Sequence, residues 1–423
     1  MPAAAVAWAW PQGVTPWRFV AIVSAWAGTG LLIASLVLML REPLLARALG
    51  GLEHMLRWHH RAGVAGYLVL LAHPLALALD ARVEDPALAA AVLDPRGQPW
   101  AVGVGWAALL AMMAGLAATF MPSLAYRPWR ATHFVLGFAV AGGLVHVLEL
   151  LGHAGLPWLV AALAAVVLVW RFVLLDRGWR SLAYRVTATT HPAATMIEAT
   201  LAPLAAGLRA AAGQFVLARF LDAERYAACG AFHPFTVSEV AAGGRLKVAI
   251  KALGPCSAQL QQLQPGALVQ LQGPFGEFLG GDEPSPDALP PQGSQRTQRP
   301  QRPQRPQLWI AGGIGITPFI AALRQGPCSV PTTLLYLVRR PGDAAFADEL
   351  RAMAESQPLF TLSIQPTGDA PPALEPLLVR LADLPGREVQ VCGPPALVRA
   401  LLPLLAARGV PRAQVHHEAF DFR

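Results

Sequence analysis

Four histidines stand inside apolar stretches: His59 and His73 in one, His133 and His146 in another. An imidazole in hydrocarbon is costly, so such residues ask for a ligand or a partner. The stretches near 55–79 and 132–151 are separated by one other apolar run, so they cross a bilayer in the same sense. His59 and His133 then share one level, and His73 and His146 the other. Fourteen residues of helix rise about 21 Å and fall only about 40° short of four full turns, so His59 and His73 share a face at two depths. His133 and His146, thirteen apart, lie about 140° off a common face in a straight helix, and a bend at Gly142-Gly143 or a tilt has to bring them together. Two levels with one histidine per helix make two bis-imidazole sites for haem iron. Such ligation leaves the iron no open position and suits electron transfer. His60 can stand in for His59; His54 and His153 read as interfacial or solvated.

Motifs of another kind follow. His233-Pro234-Phe235-Thr236 sits where a strand presents its backbone, a flat ring and a hydroxyl to a ligand. Lys251, Gly254 and Ser257 mark a turn able to cradle a diphosphate, and Gly273-Pro274-Phe275-Gly276 ends this region. Further on, LWIAGGIGITPF reads as a buried strand, a glycine turn and a helix opening near Thr317-Pro318. Gly312, Gly313 and Gly315 let a diphosphate approach the backbone, and the helix N-terminus favours its charge. Arg339 and Arg340 close the next strand, where cations can meet a 2′-phosphate, which favours NADPH over NADH. Cys392 and Gly393 follow another strand, within reach of a nicotinamide. Phe420, in the tail HHEAFDFR, can fold back over a flavin.

The elements that must position these residues differ between the two halves. Of 423 residues, 54% are hydrophobic and 14% charged, but these are averages. Residues 1–175 are rich in Ala, Leu, Val, Gly and Trp, and the remainder reads as α/β protein. Apolar runs near 19–40, 55–79, 100–120, 132–151 and 157–175 have the length a bilayer demands. The loop 41–57 carries Arg41, Arg47 and Arg57, and 121–131 carries Arg127 and Arg130. After the last run come Arg177, Arg180 and Arg185. Segment 80–99 instead holds Asp80, Glu84, Asp85 and Asp94 against Arg82 and Arg96. Positive loops face the cytoplasm, which places the soluble half inside and the N-terminus outside. The net charge of +7 follows these loops and a Gln-Arg-Pro tract, so it does not indicate nucleic acid. AVAWAWP near the start is too short for a signal peptide or a span. Cys229, Cys256, Cys328 and Cys392 show no CxxC spacing, which argues against a disulfide framework, a zinc site or an iron–sulfur cluster. Short strands punctuated by Gly and Pro after Tyr184 suggest a small β-barrel. Segment 280–307, rich in Pro and Gln, is expected to be an extended, disordered linker.

His59, Gly63, His73 and Pro74, followed by the second histidine pair, resemble the ferric reductase-like transmembrane domain shared by ferric reductases and NADPH oxidases. HPFT, GPFG, GGIGITPF, CGP and the terminal ExFxFR resemble the ferredoxin–NADP reductase-like module fused to it. The resemblance implies that His59, His73, His133 and His146 ligate two b haems. It implies that His233, Pro234, Phe235 and Thr236 hold the FAD ring, with Lys251 and Ser257 near its diphosphate. Gly312, Gly313, Gly315 and Thr317 would bind the nucleotide diphosphate, Cys392 and Gly393 would lie near the nicotinamide, and Phe420 would stack on the flavin. Thr236, Cys392 and Phe420 are thus the residues nearest the reacting rings. The family commonly has six spans against five here, the sixth of which would precede residue 17. His233 stands where an arginine is usual, and GPCS replaces a GD-aromatic-Thr turn.

The expected fold is therefore multi-domain. An α-helical transmembrane haem-binding bundle (1–178) is followed by an antiparallel β-barrel for FAD (181–279). The linker (280–307) then leads to an α/β parallel-sheet domain for NAD(P) (308–423). The expected activity is that of a bacterial inner-membrane flavohaem oxidoreductase with its soluble domains in the cytoplasm. It would carry electrons from NADPH through FAD and two b haems to an outside acceptor. That acceptor is a ferric chelate, with dioxygen or a periplasmic protein as the alternatives.

Overall fold

The computed structural model describes residues 13–419 apart from residues 122, 125, 152–154, 223, 277, 280–304, 370–371 and 382. Expectations for the N-terminal AVAWAWP, His153, Phe420 and most of segment 280–307 lie outside the described residues. Two compact units emerge: Met1–Arg41 with Leu52–Arg177, and Glu42–Gly51 with Gly178–Arg423.

The first unit holds five helices long and apolar enough to cross a membrane. They are α1 (Pro16–Leu38), α2 (Leu52–Glu84), α3 (Trp100–Thr119), α4 (Tyr126–Leu151) and α5 (Leu156–Leu168), the last continuing as a π-helix over Val169–Leu175. Several starts are set locally. Thr15 caps α1 by accepting the Arg18 N–H at 3.1 Å, and proline occupies the first turns of α1 and α5, where its missing N–H costs nothing. Helix α2 runs to Glu84, past the expected end near 79, and a short helix, Pro86–Leu93, fills part of the expected loop. Small residues let helices approach. A Cβ on Gly28 would meet Leu70 Cγ at 2.5 Å and the Gly66 carbonyl at 3.0 Å, and one on Gly115 would meet Leu136 Cδ2 at 2.6 Å. Such close backbone approach replaces the hydrophobic drive that lipid cannot supply. Thus α1 packs on α2 and α3 on α4.

The second unit contains two layers. Strands β1 (Leu182–Ala193), β2 (Met196–Pro203), β3 (Phe215–Phe220), β4 (His233–Ala241), β5 (Arg245–Lys251) and β6 (Leu268–Phe275) close an antiparallel barrel in the order β1-β2-β5-β4-β3-β6. Its interior is filled by Val186, Ile197, Leu201, Val216, Val248, Ile250 and Leu271. Buried Tyr184 satisfies its hydroxyl by accepting the Leu208 N–H at 2.6 Å and donating to the Gly244 carbonyl at 3.0 Å. Strands β7 (Gln307–Gly312), β8 (Thr332–Val338), β9 (Phe360–Pro366), β10 (Glu388–Gly393) and β11 (Val415–Ala419) form a parallel sheet ordered β11-β10-β7-β8-β9. Helices α6 (Thr317–Gln325), α7 (Ala347–Ser356) and α8 (Pro395–Ala407) cover it. The near-continuous apolar runs of β7 and β8 follow from burial on both faces, as parallel sheets require.

One expectation is corrected. Cys229 and Cys256 form a disulfide, with Cα atoms 4.8 Å apart, although their spacing gave no sign of pairing. Cys229 ends a 3-10 turn just before β4, and Cys256 lies in the short helix Pro255–Gln259 just after β5. Antiparallel pairing of β4 with β5 brings those two ends together. Cys328 and Cys392 are not disulfide-bonded.

Candidate haem, flavin and nucleotide sites

In the first unit the histidines are built in from their backs. His59 Nδ1 lies 2.8 Å from the Ser35 carbonyl and 2.9 Å from its hydroxyl. His73 Nδ1 lies 2.9 Å from the Ala21 carbonyl. Ala21 and Ser35 are themselves fourteen residues apart on α1, matching the spacing of His59 and His73 on the antiparallel α2. On the other helix pair, His146 Nδ1 lies 2.7 Å from the Ala101 carbonyl and His133 Nδ1 3.3 Å from the Thr119 hydroxyl. Both acceptors are on α3. Each histidine-bearing helix is thus backed by a neighbour that engages Nδ1, as in the ring-orienting contacts that fix a histidine tautomer for metal binding. At the three carbonyl contacts the imidazole must donate, which leaves the Nε2 lone pair available as a ligand.

The rings also face one another. His59 and His133 have centroids 5.9 Å apart with planes at 68°. Metal–nitrogen bonds of about 2 Å on either side of one iron, plus the ring radii, call for about 6 Å. Among the described residues no group of three or more His, Cys, Asp or Glu could hold a metal ion. Two imidazoles, one from each helix, could hold an iron that brings its own equatorial ligands, as haem does. His60 turns away and packs edge-on against Phe120, so His59 is the member of the adjacent pair that faces His133. Helix α4 is continuous through Gly142-Gly143, and the imidazoles of His133 and His146 both reach α3. Trp129 stacks on His133 at 5.2 Å and 14°.

Sequence reasoning missed three features of this unit. The acceptors Ser35, Ala21, Ala101 and Thr119 carry no motif, although a serine amid the apolar run of α1 is a weak sign. Gly105 is a second: a Cβ there would lie 2.6 Å from His146 Nδ1, so only glycine gives the ring its berth. Arg171 is the third. It sits within the fifth span, buried, with Nη1 2.5 Å from Asp176 Oδ1 and its guanidinium 5.4 Å above the Phe172 ring. An intramembrane cation held inside the protein and paired is the arrangement hydrocarbon permits.

In the second unit the barrel presents His233–Thr236 at the start of β4, paired with Ala218–Phe215 of β3. Thr236 is buried, and Phe235 stands edge-on to Phe220 at 6.4 Å. The Ser257 hydroxyl accepts the Leu253 and Gly254 N–H groups at 2.9 Å each and so closes its own turn. Lys251 comes to rest beside the glycine turn: its Nζ lies 3.2 Å from where a Gly313 Cβ would stand.

The parallel sheet gathers the nucleotide candidates at the carboxyl ends of β7 and β10, where the strand order reverses. Open α/β sheets bind ligands at such a switch point. Gly312 abuts Gly393, and a Cβ on Gly315 would lie 2.0 Å from the Cys392 carbonyl oxygen. Gly313 has a φ of +56°, the left-handed conformation that turns successive amides toward one concavity. Buried Thr317 does not face outward; it donates to the Ile314 carbonyl at 2.7 Å and braces the turn. Arg339 and Arg340 end β8 in solvent, Arg339 3.7 Å from Asp369 and Arg340 accepting no burial. Cys392, the last residue but one of β10, is buried.

With this geometry in place, likeness to known proteins is informative. Residues 24–144 match the family model described as ferric reductase like transmembrane component. The carnitine monooxygenase reductase subunit of Escherichia coli (strain K12) is 38% identical over 115 residues, 27% of this chain and 34% of that protein. The ferredoxin reductase component of the 3-ketosteroid-9-alpha-monooxygenase of Mycobacterium tuberculosis is 36% identical over 119 residues, 27% of this chain and 33% of that protein. The chain thus spans about a third of the length of these curated relatives. Among solved structures, the cytochrome P450 reductase of Amycolatopsis is 23% identical, with a TM-score of 0.46 over 57% of this chain and 70% of that one. Residues 24–144 are accordingly similar to a ferric reductase like transmembrane component, on a chain that also shares about a quarter of its length with reductase components of monooxygenase systems.

Proposed function

We propose that the protein is a transmembrane flavohaem oxidoreductase that draws electrons from cytoplasmic NADPH and delivers them to an acceptor outside, a ferric chelate in the first instance. When bound, FAD takes a hydride and releases single electrons, and two b haems relay electrons one at a time. The rest is the work of the chain. Gly312, Gly313 and Gly315 offer backbone amides to the nucleotide diphosphate, Lys251 adds charge beside them, and Arg339 and Arg340 await a 2′-phosphate. His233 to Thr236 hold the flavin ring, with the Thr236 hydroxyl available to a ring nitrogen, and Cys392 and Gly393 face the nicotinamide. His59 with His133, and His73 with His146, would hold the two haems through imidazole nitrogens at two depths. Haem held by two imidazoles would have no open position and would serve electron transfer rather than oxygen binding.

The observation that carries this reading is the shared back-bonding of all four imidazoles through Nδ1. The loop charges support a cytoplasmic soluble half in a bacterial inner membrane. A second reading, donation to a periplasmic protein, is favoured by the curated relatives, which are named as reductase components of oxygenase systems. The test is an absorption spectrum of detergent-purified protein with FAD, taken anaerobically before and after NADPH. Split α and Soret bands of reduced low-spin haem support the reading, and their absence removes it. Rapid reoxidation by ferric citrate, by dioxygen, or by neither then separates the acceptors.

Gly105 offers a finer check. Gly105→Ala places a methyl 2.6 Å from His146 Nδ1 and should push the ring off the Ala101 carbonyl. Loss of such an orienting bond costs roughly 10- to 100-fold in metal affinity. Haem titration of the apoprotein should show one of two sites weakened by about that factor and the other unchanged.

A further inference from the structure

Arg324 lies in the last turn of α6, the helix that starts at Thr317 directly behind the glycine turn. Its side chain is 11% exposed and every edge of it is engaged. Nη1 donates to Glu198 Oε1 at 2.6 Å and to the Ser238 carbonyl at 3.2 Å. Nε and Nη2 donate to the two Glu349 oxygens at 2.7 and 2.8 Å, the parallel fork that only arginine makes. The guanidinium also lies 5.0 Å over the ring of Phe346, a residue held at a left-handed φ of 59°. Ser238 Oγ donates to Glu198 Oε1 at 2.5 Å, and Glu239, 3.7 Å from Arg324, is bound in turn by Lys247 at 2.6 Å. Burial alone would lower the guanidinium's proton affinity, but Glu349 and Glu198 outweigh it and hold the group charged.

One side chain thereby bonds the barrel at β2 and β4 and the nucleotide layer at α7. Ser238 is two residues beyond Thr236, on the strand that presents the flavin residues. Seven residues separate Arg324 from Thr317, two turns of rigid helix. We propose that Arg324 is a positioning residue that locks the glycine turn to the flavin strand and so sets the donor–acceptor distance for hydride transfer. This rests on the flavin and nucleotide reading of the soluble half. A simple structural cation would hold the layers together without governing the rate at which bound NADPH reduces bound flavin. Reaction geometry is what distinguishes the two, since about 1 Å of misplacement can cost about a hundredfold in rate.

The test uses the full chain in detergent, loaded with FAD and mixed anaerobically with NADPH or its 4-deuterated form. In Arg324→Gln the limiting rate of flavin bleaching should fall about a hundredfold, while the NADPH Kd stays within a factor of two and the isotope effect rises. Arg324→Lys, which keeps charge but loses the fork, should recover part of the rate. Glu349→Gln removes one arm only and, should Arg324→Gln not fold, carries the test: a reduced rate at unchanged Kd is expected. Unchanged rates in these variants, or a falling rate with a rising Kd and no gain in Arg324→Lys, overturn the proposal. A wild type whose FAD is not bleached by NADPH overturns instead the nucleotide and flavin reading beneath it.

Discussion

Gly315→Ala is expected to slow NADPH-driven flavin reduction about a hundredfold while leaving FAD bound. The new methyl would stand 2.0 Å from the carbonyl oxygen of Cys392 and 2.5 Å from its carbonyl carbon. Both belong to the backbone of β10, a strand paired on either side by β7 and β11, so nothing there can swing away. Overpacking of this kind costs about 3 kcal/mol, and relief requires the turn to leave β10. If that strain falls wholly on the reacting complex, the rate drops about a hundredfold. FAD is spared because its candidate residues lie on the barrel. Stopped-flow bleaching at saturating NADPH and the flavin content of the purified variant measure the two halves of the expectation. Gly326→Ala, where a Cβ meets nothing within 4 Å, serves as the control. A Gly315→Ala protein that bleaches at the wild-type rate would move the nucleotide site away from this turn.

The second large effect is at the histidines. Joint replacement of His73 and His146 by alanine should remove about half of the haem absorbance and one of two reduction midpoints. The remaining haem should still be reduced by NADPH, because the level of His59 and His133 is intact, yet transfer to an outside ferric chelate should cease. Replacing His59 and His133 instead should leave one haem that NADPH no longer reduces on the same timescale. Redox titration with reoxidation kinetics distinguishes the two variants. Equal loss of both haems in each would mean that the pairs are not separate sites. Ser35→Ala is a milder relative, since the His59 ring keeps the Ser35 carbonyl at 2.8 Å and loses only the hydroxyl.

Much of this was legible in the chain before folding was considered. Five apolar runs of bilayer length became five helices because hydrocarbon leaves the backbone no partner but itself. The His59–His73 spacing gave a common face because helix geometry is the same everywhere. The GGIGITP turn announced itself through glycines that only a close approach or a positive φ requires, and Gly313 and Gly315 supply one of each. The His133–His146 pair was harder, since its spacing puts the two rings off a common face of a straight helix, and only their contacts with α3 showed where each ring lies. The disulfide was misjudged for a related reason: spacing within the sequence carries no information about which strand ends meet.

Composition and local periodicity by themselves determined the membrane-spanning half, the paired imidazoles within it, and the strand–turn–helix unit behind them. These depend on interactions within a few turns or on the solvent each residue must meet. Only the tertiary structure decided which carbonyls orient the imidazoles, that Gly105 leaves room for His146, and that Lys251 comes to rest beside Gly313. It also decided that Arg324 finds Glu198, 126 residues away. Contacts of that kind depend on which elements become neighbours and in what register, and the entropy of closing long loops is repaid only when the whole unit packs.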